Sequence, residues 1–406
     1  MHGTDTTLST GLAAPPSRHD RSALELAGLI RAGELRLMLP DGSMHRVRGR
    51  RPGPSAEVRL ASPRAIHRFA TGGSLGWAEA YLDGDWSTPD LRAVMMLAAA
   101  NEAEWDAVLR GRPLIRWLSR LVHAFKPNSR RGARRNIAAH YDLGNDFYAA
   151  WLDPTMTYSS AEFTAPDERL EQAQRRKVHN LLDALALVPG ARLLEIGCGW
   201  GHLAETAARE HGAQVVALTL SRAQAEAARA RIAAAGLTGR VEIRIQDYRD
   251  VTETFDAVAS VEMFEAVGES YWPAYFRTVH DRLRSGGRAA LQIITIADRF
   301  FADYRRSADF IQRYVFPGGM LPSPTRLREE VARAGLRWES ETWFGASYAE
   351  TLRRWNASFQ AAWPEIAAIG RYDVRFKRLW EYYLTYCETG FRAGWTDVGR
   401  IVLARA

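Results

Sequence analysis

The sequence predicts an α/β protein built on a Rossmann-like doubly wound sheet, with a smaller α+β domain ahead of it, and three observations carry that expectation. From Ala191 onward, short apolar runs alternate with helical stretches, as crossover units in a largely parallel sheet require. The first of these runs ends in a glycine-rich turn that opens a helix, Glu195-Ile196-Gly197-Cys198-Gly199-Trp200-Gly201. Residues 23–125 have a different texture, in which short strands are separated by turn residues such as Asp41-Gly42 and followed by helices.

The elements follow in order. Residues 1–22 are rich in Thr, Ser, Gly and Pro and read as a disordered tail. Within 23–125, Leu35 to Leu39 and Glu57 to Leu60 read as strands, and Pro63 to Thr71 and Pro89 to Ala107 as helices, with Asp90 near a helix start. Between those helices, Gly72 to Trp86 reads as a turn, a short helix and a second turn. A basic linker is expected over 126–139, and one large domain over 140–406. Its strands are Arg192 to Ile196, Gln214 to Leu220, Val241 to Ile245, Phe255 to Val261 and Arg288 to Ile294, with a last one from Ile401 to Ala404. Helices are expected over Gly201 to Glu210, Arg222 to Ala235 and Tyr271 to Leu283. Two aromatic-rich helices, Ser347 to Ile369 and Val374 to Phe391, are inserted among the core strands and read as a lid.

Composition narrows the function classes. No run approaches the roughly 18–20 apolar residues that span a bilayer, and Met1 to His19 lacks the basic start and apolar core of a signal peptide. Cys198 and Cys387 cannot build a disulfide framework and fit a reducing compartment, so the expected location is the cytoplasm. The net charge of +7 is modest, but Lys126, Arg130, Arg131, Arg134 and Arg135 cluster beside Trp117, Leu118, Leu121 and Phe125. That mixture suits contact with an anionic membrane surface, and it suits a solvated linker equally. No nucleic-acid fold signature is present, and no metal is expected.

The chemistry starts at the glycine-rich turn. Its spacing is tighter than the dinucleotide fingerprint and is the one expected for S-adenosylmethionine. Gly197, Gly199 and Gly201 let the backbone turn and approach a ligand at the carboxyl end of the strand. Glu195 is placed to orient the amino-acid end of the cofactor. After the second strand, Thr219, Leu220 and Gln224 face the expected ribose position, with Gln224 replacing the usual carboxylate; Thr219 also fits a helix cap shared with Ser221. Gln246 and Asp247 end the third strand, where an adenine edge belongs. The fourth strand ends in Glu262-Met263-Phe264-Glu265, two carboxylates beside the expected reaction centre; one of them fits a surface charge, and Glu265 is assigned to the pocket.

Several segments together resemble the cyclopropane-fatty-acyl-phospholipid synthase family of methyltransferases. They are His140-Tyr141-Asp142-Leu143-Gly144-Asn145-Asp146-Phe147-Tyr148, Tyr158-Ser159-Ser160, the glycine-rich turn, Gln246-Asp247-Tyr248-Arg249-Asp250, Met263-Phe264-Glu265, Tyr314-Val315-Phe316-Pro317-Gly318-Gly319 and Phe344-Gly345-Ala346-Ser347-Tyr348. The resemblance runs from about Arg68 to the C-terminus. It implies methyl transfer to the cis alkene of an unsaturated phospholipid acyl chain, through a carbocation, to give a cyclopropane at the inner face of the cell membrane. It also implies a homodimer and cofactor contacts from Tyr141, Tyr158, Ser159, Gly197, Gly199, Thr219, Leu220, Gln224, Gln246 and Asp247. The implied base is a bicarbonate ion held by Ser160, Glu265, Gln292, the backbone of Ile294, and Tyr348. Family members carry Cys where Ser160 stands, His where Gln292 stands and His where Ala266 stands. These departures leave open a methylene or methyl-branched product, or a role in modified (furan-type) fatty acid formation. Methylation of a soluble small molecule is the remaining alternative.

Overall fold

A computed structural model describes residues 18–109, 143–306 and 309–406. The basic stretch 126–139, its aromatic neighbours and Tyr141 lie outside the described residues. Contacts divide the chain into two units, one formed by Met1–His123 with Ala367–Ala393, the other by Ala124–Ile366 with Gly394–Ala406.

In chain order the elements are α1 (Arg18–Ala27), β1 (Ala32–Met38), β2 (Met44–Arg48), β3 (Arg51–Leu60), α2 (Arg64–Leu82), β4 (Trp86–Ser87), α3 (Leu91–Ala100), α4 (Glu102–Leu109), α5 (Asn145–Ala149), α6 (Leu170–Ala184), β5 (Arg192–Ile196), α7 (His202–Glu210) and β6 (Gln214–Thr219). Then follow α8 (Arg222–Ala234), β7 (Val241–Ile245), β8 (Phe255–Val261), α9 (Trp272–Arg282), β9 (Leu283–Ile296), α10 (Asp298–Tyr304), α11 (Phe310–Tyr314), α12 (Pro324–Arg333), β10 (Leu336–Trp343), α13 (Gly345–Ala368), α14 (Val374–Arg392) and β11 (Thr396–Arg405).

The first unit holds a four-stranded sheet in the order β2-β1-β3-β4. Three expectations change here. Helix α1 takes in the last residues of the expected tail, because Ala23 and Ala27, four apart and both buried, give it a face to pack. The helix expected from Pro89 to Ala107 is capped by Asp90, whose side chain accepts from the Ala93 N–H, but it breaks at Asn101. That buried amide accepts from the Arg31 and Ala32 N–H groups and donates to the carbonyls of Ala32 and Leu97, so it ties the end of α3 to β1 instead of continuing the helix. Helix α14, expected as part of a lid within a single 140–406 domain, instead belongs to this first unit. It packs on α3 and α2, with Arg92 paired to Glu388 at 2.7 Å and Tyr81 donating to Glu381 at 2.9 Å.

The second unit is the doubly wound sheet, in the order β10-β11-β9-β8-β5-β6-β7. Strands β5 to β9 pair in parallel, and β11 runs antiparallel to both β9 and β10. Successive residues of β5 serve opposite faces. Leu193 packs with α6, α7 and α8 through Leu181, Ala204 and Ala228, whereas Leu194 packs with α9 and α12 through Phe276 and Leu327. The chain order reverses between β5 and β8, which is the topological switch point where such sheets bind ligands at their carboxyl ends. Strands β9 and β11 are longer than expected, since each pairs along most of the other's length.

Candidate active site

The cofactor turn follows directly from backbone geometry. Gly197, Gly199 and Gly201 all have positive φ, +88°, +52° and +84°, where a side chain is strained. A Cβ on Gly197 would lie 2.8 Å from Met263 Cγ, whereas a Cβ on Gly199 would meet nothing within 4 Å. Gly199 therefore borders open space, and the space is a cavity of about 180 Å³ at the carboxyl ends of β5, β6 and β8. Beneath it Glu195 is buried. One of its oxygens accepts from the Ala204 N–H, and Oε2 has no hydrogen-bond partner. Burial raises its carboxyl to about 8, against the opposing pull of Lys177. An orphaned buried carboxylate oxygen facing a cradle without side chains fits a ligand with a cationic ammonium group, such as the amino-acid end of S-adenosylmethionine.

Among the described residues, the other expected cofactor residues gather there, with one exception. Tyr158, Ser159, Glu195, Gly197, Gly199, Thr219, Leu220, Gln224, Gln246 and Asp247 line the cavity. Gly201 does not; it forms the left-handed entry to α7 and packs its Cα side on Ala228. Ser221 is the cap of α8, accepting from Gln224 N, while Thr219 Oγ1 donates to Gln224 Oε1 at 3.0 Å. The Asp247 carboxylate is held by Arg249 through Nε at 2.8 Å and Nη2 at 2.6 Å.

At the ends of β8 and β9 lies a second cluster. Both residues are half-buried, and both carboxyl groups are hydrogen-bonded within the protein, so neither is a surface charge. Glu262 lines the cavity and Glu265 does not. Glu262 Oε1 accepts from Ser160 N at 2.8 Å and from Gln292 Nε2 at 2.7 Å, and its Oε2 accepts from Tyr348 OH at 2.6 Å. Glu265 Oε1 accepts from Ile294 N at 2.5 Å, and its Oε2 has no partner. Burial, and then the charge of Glu262, raises Glu265 to about 8; burial likewise raises Glu262, opposed by its three donors and by Lys177.

Lys177 is the residue most plainly absent from the sequence-based set. It is fully buried on α6, donates to Ser159 Oγ at 2.6 Å, and is lowered to about 8 by burial despite the pull of Glu262, Asp153 and Glu195. A signal existed: Ala173, Lys177 and Leu181 recur every four residues and all three are buried, so a charge sits on the apolar face of a helix. His202 also lines the cavity; burial lowers it to about 3, which keeps it neutral beside Thr157 Oγ1 at 2.9 Å. Around this end the rings close in. Tyr158 lies 5.3 Å from both Tyr148 and Trp355, and Trp151 is 5.8 Å from each of Tyr158 and Trp355.

Residues 128–401 match the family model described as mycolic acid cyclopropane synthetase. The chain belongs to the mycolic acid cyclopropane synthetase family. It is an S-adenosylmethionine-dependent methyltransferase of that family, whose members act on lipid acyl chains. Tuberculostearic acid methyltransferase UfaA1 of Mycobacterium tuberculosis is 42% identical over 91% of this chain and 88% of its own. The cyclopropane-fatty-acyl-phospholipid synthase of Escherichia coli is 36% identical over 86% and 88% respectively. Among solved structures, mycolic acid cyclopropane synthase CmaA1 complexed with SAH and CTAB superimposes with a TM-score of 0.63 at 32% identity, covering 69% of this chain and 99% of that one.

Proposed function

We propose that this family member transfers a methyl group to the cis double bond of an unsaturated phospholipid acyl chain and that the resulting carbocation closes to a cyclopropane. When bound, S-adenosylmethionine supplies an electrophilic methyl group. Glu195 would hold its amino-acid end, Thr219 and Gln224 its ribose, and Gln246 with Asp247 its adenine. The observation that carries the reading is the presence of the Tyr158 ring and the Glu262 carboxylate on the wall of the same cofactor cavity, with Tyr148, Trp151 and Trp355 packed behind Tyr158. Tyr158 faces the place of the carbocation and contributes roughly 0.5–2 kcal/mol of attraction, and the Tyr148, Trp151 and Trp355 rings packed behind it keep water out of that wall. A carboxylate at the edge of that chamber accepts the proton whose loss ends the reaction.

A second reading keeps the methyl transfer but ends in a methylene or methyl-branched chain. It is favoured by the identity to the tuberculostearic acid methyltransferase, 42%, exceeding that to the phospholipid cyclopropane synthase, 36%. Among the described residues no helix is long and apolar enough to cross a membrane, so access to bilayer lipid is proposed to come from surface contact with anionic headgroups. Incubation with defined monounsaturated phospholipids, followed by mass spectrometry and alkene-specific cleavage, separates the readings. A gain of one methylene unit with no alkene remaining and no branch supports the ring; a residual alkene or a branched chain supports the second. No gain with any unsaturated lipid contradicts both.

A further inference from the structure

The five groups that the resemblance assigns to a bound bicarbonate do not fit that ion here. Three of the donors, Ser160 N, Gln292 Nε2 and Tyr348 OH, converge on Glu262 at 2.8, 2.7 and 2.6 Å. The fourth, Ile294 N, is taken by Glu265 at 2.5 Å. The Ser160 hydroxyl donates to the carbonyl of Ala161 at 2.8 Å. An added anion would therefore find these donors engaged and the Glu262 carboxylate as its neighbour, and like charges in an enclosed site repel strongly.

We propose that the Glu262 carboxylate occupies the place of the external anion and is the resident base of the reaction, which makes the enzyme independent of bicarbonate. The inference rests on the alkene-methylation reading given above. A carboxylate and a bicarbonate present the same planar pair of oxygens, and three donors from three separate segments grip this one. Residue 262 reaches that place through an uncommon backbone conformation, φ +49°, which a residue with a side chain adopts only where its surroundings hold it. Its N–H is pinned to the Gln292 carbonyl at 2.9 Å. Division of labour follows from the neighbours: Glu265, not in the cavity and raised to about 8, keeps its proton at neutral pH and leaves Glu262 the ionised member, with Lys177 as the balancing cation. Once the alkene has gained a methyl group and become a cation, one C–H bond of that methyl breaks. Its electron pair forms the closing carbon–carbon bond, and the proton passes to a Glu262 oxygen and then to solvent.

Three proteins test this: wild type, Glu262→Gly and Glu262→Gln, each assayed for S-adenosylhomocysteine and lipid product in buffer stripped of carbon dioxide, and each titrated with bicarbonate by calorimetry. Glycine tolerates the positive φ and empties the site; glutamine fills it without a base. Wild type is expected to turn over equally with and without bicarbonate and to bind none. Glu262→Gly should lose roughly 100-fold in turnover, the usual worth of a general base, bind bicarbonate, and recover at least about tenfold when it is added. Glu262→Gln should lose as much without recovery, and it decides the matter if the glycine variant does not fold. Bicarbonate binding or dependence in wild type, or full activity of either variant without bicarbonate, overturns the proposal. If wild type methylates no lipid, the reading of function fails, while calorimetry still decides who fills the anion site.

Discussion

The carboxyl ends of β5 and β8 sit side by side and are built in opposite ways. At β5 the cofactor site is a continuous turn, whose three positive-φ glycines and one buried glutamate lie within seven residues, Glu195 to Gly201. At β8 the carboxylate site is assembled from a distance. Glu262 meets donors 102, 30 and 86 residues away in Ser160, Gln292 and Tyr348. A site made by one turn depends on backbone shape; a site made by four segments depends on the tertiary fold and can be rewired by exchanging a single side chain.

Substitutions can break or sharpen that contrast. The largest effect is expected from Glu262→Gln, which should lower kcat by roughly 100-fold while leaving S-adenosylmethionine affinity nearly unchanged. A matching loss of affinity would mean that the two ends are one site. Glu265→Gln probes the same end through pH. The folded carboxyl keeps its proton up to about 8, while the unfolded one ionises near its ordinary value of 4.5. Between those values the unfolded chain binds fewer protons, so this group's contribution to stability falls as pH rises. Thermal unfolding should thus show wild type losing ground to Glu265→Gln from pH 5 to pH 8, by a few kcal/mol at most; a constant difference would contradict the assignment of a neutral Glu265.

At the cofactor end the expected effects are smaller. Glu195→Gln removes a carboxyl that a bound ammonium group would draw into its ionised form, and it should weaken S-adenosylmethionine binding by about 1.5–3 kcal/mol in calorimetry, with kcat at saturation little changed. Gly199→Ala and Gly197→Ala form a pair. The first adds a methyl to open cavity and should cost affinity with about 1–2 kcal/mol of stability from the backbone. The second drives a Cβ to 2.8 Å from Met263 Cγ and should cost more stability. Equal stabilities would show that the turn relaxes freely.

The same contrast explains what was legible in the sequence. Strands β5, β7 and β8 were readable to the residue because buried parallel strands are nearly continuous apolar runs, as in Leu193-Leu194 and Ala257-Val258-Ala259. Strand β10 was not, because it is an edge strand whose alternation of Leu336 and Trp338 with Arg337 and Glu339 stops at a register shift before Ser340. Helix α14 carried the right periodicity, yet periodicity does not say which core a buried face joins. Among the cavity-lining residues, Glu195, Gly197, Gly199, Thr219, Gln224, Gln246 and Asp247 follow from motif spacing. The role of Glu262 could not, since nothing near it in sequence marks the three donors that hold it, whereas Lys177 was discoverable as a charge on an apolar helical face.

The central claim is tested most directly by counting. Vesicles of a phospholipid with one cis-monounsaturated chain, incubated with the enzyme and S-adenosylmethionine, should yield one lipid carrying one added methylene unit for each S-adenosylhomocysteine released. Release of S-adenosylhomocysteine with no change in lipid mass, or no release with any unsaturated phospholipid, would contradict the account.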